Sequence, residues 1–136
     1  MCSSDLYAKD REQFGRTIGS FQAVKHILAD MLARAELARA AVDAAAVTVA
    51  QPDIGDPRRA VSVAKLLAGE AAILNGKAAI QVHGGVGFTW DVDAHLLLKR
   101  AWVLETHFGN GDAHAESLAA GLARSPSVPD PIRAAS

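Results

Sequence analysis

Cysteine is almost absent. Cys2 is the only one in 136 residues, which excludes an internal disulfide framework and any metal site built on clustered cysteines; no metal is expected. Aromatic residues make up 5% of a chain that is 50% hydrophobic. With alanine in excess and strand-forming side chains scarce, the composition favours close-packed helices over a sheet. A formal net charge of -1 offers no electrostatic footprint for nucleic acid or an anionic membrane. No run of 18 apolar residues and no signal peptide is visible, so the chain reads as a soluble, cytoplasmic protein without membrane insertion. Its length suits a single domain with a core of its own.

What is present is helical periodicity. Phe21, Val24, Leu28, Met31, Ala35, Ala38, Val42, Ala45 and Val49 alternate spacings of three and four, an a/d seam that predicts one long helix. Ser20 is its expected N-cap. Before it, Tyr7 to Arg16 reads as the last turns of a helix closing at Gly15. Asp56 as N-cap, with Pro57 at the first helical position, opens a second long helix. That helix carries Ala60, Ala64, Leu67, Ala71, Leu74 and Ala78 on one face. Asp91 is expected to cap a shorter helix, about Val92 to Thr106, with Leu97, Ala101 and Leu104 inward. A last helix runs to about Leu122.

The fold class is therefore all-α, an up-and-down helical bundle. Residues 1–6 match nothing that follows and read as a non-native head. Residues 7–124 form the helical domain, and the proline-bearing segment 125–136 is expected to be a disordered tail. The second helix ends in Gln81-Val82-His83-Gly84-Gly85-Val86-Gly87. Three glycines in four positions stop a helix, permit positive φ, and let a ligand lie against bare backbone.

Arg11-Glu12-Gln13-Phe14-Gly15 runs into Ile18-Gly19-Ser20-Phe21-Gln22-Ala23. About seventy residues later, the glycine stretch leads through Phe88 to Lys99-Arg100-Ala101. Together, in this order and at this separation, these motifs resemble the carboxyl-terminal helical domain of the acyl-CoA dehydrogenase family, across about Tyr7 to Leu122. The resemblance implies a fragment of an FAD-dependent enzyme that oxidises an acyl-CoA thioester to the 2,3-enoyl-CoA. It also implies neighbouring subunits in a homo- or heterotetramer and an electron-transfer acceptor. Residue by residue, it places Arg11 and Gln13 near the pyrophosphate of an adjacent subunit's FAD and Phe14 against the cofactor. Gln22 is a further polar contact, and Gln81, Val82, His83, Gly84 and Gly85 lie along the adenosine-diphosphate part. A guanidinium fork and exposed backbone N–H groups are what a pyrophosphate requires.

The resemblance leaves the catalytic residue unassigned. In many family members the base is a glutamate in Tyr-Glu-Gly near the start of the final helix; here the corresponding residues are His107-Phe108-Gly109. Phenylalanine cannot abstract a proton. Three explanations stand: a base on a helix upstream of Tyr7, a catalytically silent subunit that completes a partner's FAD site, or replacement by Glu105 or His107.

Overall fold

The computed structural model describes residues 3–124, so the segment expected to be a disordered tail lies outside the described residues. Five helices follow one another: α1 (Ser3–Asp10), α2 (Gln22–Ala50), α3 (Pro57–His83), α4 (Ala94–Thr106) and α5 (Gly111–Arg124). The up-and-down bundle expected from the periodicity is the observed architecture. One element departs from it: Arg11 to Gly15 does not continue α1. The chain instead folds back in a two-residue antiparallel ribbon, β1 (Glu12–Gln13) with β2 (Arg16–Thr17), in the register Glu12↔Thr17 and Gln13↔Arg16.

The α2–α3 hairpin is the frame. Asp56 Oδ1 accepts from Arg58 N at 2.9 Å, and Pro57 sits in the first turn of α3, as the sequence signal required. A polar clip sets the register of the two helices: Arg34 Nε donates to Asn75 Oδ1, and Asn75 Nδ2 donates to Met31 O, both at 2.9 Å. Along α2, Met31 and Ala45 are buried, while Val42 and Val49 of the expected seam are exposed.

The other expected caps differ. Phe21, not Ser20, precedes α2 and makes no side-chain cap; Ser20 Oγ instead donates to Thr17 O within the preceding 3₁₀ turn. Asp91 does not cap α4, because its carboxylate accepts from Thr89 Oγ1 in the turn before it. The helix starts at Ala94 behind Asp93. Its inward face is Ala94, His95, Leu98 and Ala101, and Leu98 joins Ile80 and Ala94 in the packed core. Leu97 and Leu104, expected inward, are exposed on a different flank. They line a groove of about 870 Å³ whose other walls include Leu28 and Leu32 of α2 and Ser3 and Ser4 of α1. No helix among the described residues is long and apolar enough to cross a membrane.

Candidate functional site

The antiparallel hairpin puts the start of α2 beside the end of α3, and α1 brings the ribbon to the same end. Tyr7 of α1 stacks on His83, the last residue of α3, with ring centroids 4.4 Å apart. Arg11 follows one turn later, its N–H donating to Tyr7 O at 2.8 Å and its carbonyl accepting from Ile18 N at 2.8 Å. The backbone of Arg11 is thereby fixed while its side chain is left exposed.

The ribbon turns through Phe14 and Gly15, at φ 56° and 75°. Positive φ at both central residues suits a right-handed ribbon twist, but phenylalanine is a costly choice there, by about 1–2 kcal/mol. The ring gains little packing in return. It is 90% exposed and meets Phe21 edge-on at 6.2 Å. Arg16 lies over the same Phe21 ring, 4.1 Å from its centroid. Strain held at an exposed residue is the kind of outlier that accompanies a binding surface.

Across from the ribbon, α3 closes at Gly84, with φ 62° and ψ -140°. That conformation is essentially open to glycine alone. A Cβ at Gly84 or Gly85 would meet no atom within 4 Å, so neither residue is small to make room for protein. Both present bare backbone to the outside. Gln81 is exposed beside them and Gln22 is exposed at the start of α2, whose first N–H groups have no side-chain cap.

Seven of the nine sequence-predicted residues are thus exposed on segments that meet at one end of the bundle: Arg11, Gln13, Phe14, Gln22, Gln81, Gly84 and Gly85. Val82 and His83 are buried, at 7% and 5%. Their side chains point into the bundle, and His83 Nδ1 donates to Ala79 O at 2.8 Å. His83 acts as the seat for Tyr7, a pairing of residues 76 positions apart that no local pattern announces.

Position 108 is elsewhere. The α4–α5 turn is pinned to the early part of α3 through Ser62 and His114. Ser62 and His83 are 21 helical steps apart on α3, roughly 30 Å, so Phe108 and the glycine turn lie toward opposite ends of the bundle. Phe108 has φ 59° and is 96% exposed. The two ionisable neighbours are both engaged. Glu105 Oε1 accepts from Gly111 N at 2.6 Å, with Oε2 3.8 Å from Lys65 Nζ. His107 Nδ1 donates to Val103 O at 2.7 Å. Among the described residues no group of three or more His, Cys, Asp or Glu side chains could hold a metal.

Residues 5–123 match the family described as "Acyl-CoA dehydrogenase, C-terminal domain". The chain is 54% identical over 95 residues to the acyl-CoA dehydrogenase FadE34 of Mycobacterium tuberculosis, which covers 70% of this chain and 13% of that protein. The ChsE4–ChsE5 complex from the same organism contains a chain that superposes with a TM-score of 0.83 at 34% identity, covering 91% of this chain and 33% of that one. An FAD complex of PigA superposes equally well, with a TM-score of 0.83 at 31% identity over 88% of this chain and 31% of PigA. The chain therefore spans no more than a third of the length of these relatives.

Proposed function

The chain belongs to the acyl-CoA dehydrogenase family as its carboxyl-terminal helical domain, and from that premise we propose that its bundle end holds the adenosine-diphosphate part of FAD in a complete acyl-CoA-oxidising enzyme. The observation that carries this reading is the convergence of an exposed guanidinium, two bare glycines and an uncapped helix start on one surface. Arg11 supplies the charge-assisted fork for the pyrophosphate, with Gln13, Gln22 and Gln81 as neutral donors. Gly84 and Gly85 let the ligand approach the main chain, and the Phe14 ring covers one side of it. Val82 and His83 contribute through backbone alone, since their side chains face inward.

In this proposal the complete protein removes an α-proton and a β-hydride from an acyl-CoA, giving the 2,3-enoyl-CoA. FAD bound there would supply the hydride acceptor, with an external electron-transfer partner as the eventual oxidant. Residue 108 faces the acyl group at the far end of the bundle. Because the two ends are roughly 30 Å apart along α3, one chain serves two sites, which suits a tetramer whose FAD sites are shared between subunits. We place the enzyme in the cytoplasm.

One observation favours a second reading. Phe108 carries no ionisable group, and Glu105 is committed to the α5 N-terminus. A subunit of that kind is catalytically silent unless an upstream helix brings the base, and it completes a partner's FAD site. The test is acyl-CoA-dependent bleaching of flavin absorbance in the complete protein. Bleaching supports a catalytic chain with an upstream base. Retained flavin without bleaching supports the silent subunit, and a complete protein that purifies without flavin and does not take it up overturns both.

A further inference from the structure

Phe108 holds a conformation that a bulky residue avoids, and the structure shows what keeps it there. His114, one turn into α5, points both ring nitrogens at partners: Nε2 lies 3.0 Å from Phe108 O and Nδ1 lies 3.2 Å from Ser62 Oγ on α3. A carbonyl only accepts, so Nε2 carries the proton and donates. Nδ1 is then free to accept from the Ser62 hydroxyl. Ser62 is buried at 7%, which anchors the pair in the frame of the bundle. Gly109, at φ 93°, lets the imidazole edge approach the turn closely; a Cβ there would stand 3.2 Å from Nε2. Asn110 caps α5 by accepting from Ala113 N at 3.0 Å, fixing where His114 falls.

We propose that Ser62 and His114 are positioning residues that hold residue 108 in its left-handed turn, so that its side chain is presented to the acyl group and sets which acyl chains fit. The inference rests on the proposal that position 108 faces substrate. Neither residue touches substrate. They act through the Phe108 carbonyl, which cannot swing while the relay from α3 is intact.

The experiment uses the complete flavoprotein and reads binding of a short and a bulky acyl-CoA from the perturbation of flavin absorbance, so that it works for a silent subunit as well. Phe108→Ala should shift the ratio of the two affinities toward the bulky ligand by about tenfold, the order expected for opening an apolar pocket. His114→Ala should shift the ratio in the same direction, by roughly half as much on a logarithmic scale. His114→Gln, whose amide can donate to the carbonyl and accept from Ser62, should restore the wild-type ratio. A merely structural role would weaken both ligands alike and leave the ratio unmoved. Should His114→Ala fail to fold, Ser62→Ala removes the same relay with less disruption. If Phe108→Ala moves the ratio and the relay variants do not, the positioning role is overturned and the placement of residue 108 stands. If none of them moves it, or no acyl-CoA perturbs the flavin, that placement is overturned, and the inference with it.

Discussion

Substituting Glu105 separates a structural carboxylate from a catalytic one. Its Oε1 accepts from Gly111 N at 2.6 Å, a hydrogen bond to a charged group worth about 1.5–3 kcal/mol. Lys65 stands 3.8 Å from Oε2, with the two side chains 21% and 22% exposed, so its attraction adds about 0.5–1 kcal/mol after screening. Lys65 is not stranded when the carboxylate goes, since its Nζ also donates to Leu104 O and Glu105 O at 3.0 and 3.1 Å. Glu105→Ala should therefore cost about 2–4 kcal/mol, or roughly 8–16 °C in melting temperature at about 4 °C per kcal/mol. Gly69 sharpens the test, because a Cβ added there would collide with Glu105 Oε2. Gly69→Ala should destabilise the wild-type chain despite alanine's advantage of about 1 kcal/mol in a helix. In the Glu105→Ala background the same change should stabilise by about 0.5–1 kcal/mol, a reversal of sign expected only of residues in contact. Circular dichroism melts of the four chains decide it. An equal effect of Gly69→Ala in both backgrounds would refute the placement of Glu105. In the complete protein, Glu105→Gln should keep whatever acyl-CoA-dependent bleaching the wild type shows. Its loss without a fall in melting temperature would make Glu105 the base.

Arg11→Ala in the complete protein should weaken FAD retention by one to two decades, equivalent to about 1.5–3 kcal/mol; unchanged flavin content after dialysis would remove Arg11 from the cofactor site. Ser4 is fully buried with its hydroxyl unpaired, so Ser4→Ala should stabilise the chain by about 1 kcal/mol, and a lower melting temperature would reveal a partner for that hydroxyl. Phe108→Asn should raise stability by about 1 kcal/mol, because asparagine tolerates positive φ; a loss in the melt would mean that the phenyl ring packs on protein.

Periodicity made the α2–α3 frame legible, since two long helices repeat their small and apolar residues for many turns. The glycine turn was legible because three helix-breaking glycines fall within four positions there. The ribbon at Arg11 to Thr17 was not, as strands of two residues carry no alternation to read. On α4 the run Leu96-Leu97-Leu98 supports more than one apolar stripe, and sequence alone could not say which leucine meets Ile80 and which meets the groove. Cap residues misled for a related reason. Ser20 and Asp91 have the right chemistry, but each finds a nearer partner in its own turn. At the site, exposed polar and glycine positions followed from the motif, whereas Tyr7 on His83 and Ser62 with His114 join residues far apart in the chain.

The 27 residues of α3 form an uninterrupted rod of about 40 Å, and the two candidate sites sit near its opposite ends. The rod behaves as a ruler. Removing one residue from its middle would shorten it by only about 1.5 Å but rotate one end against the other by about 100°. The glycine turn would then face a different neighbour while the α4–α5 turn kept its place. Removing seven residues would nearly restore the facing, with a remaining error of about 20°, yet shorten the span by about 10 Å. Length changes in α3 are thus gated by rotation first and distance second, whereas the connection at Gln51 to Asp56 can lengthen at small entropic cost.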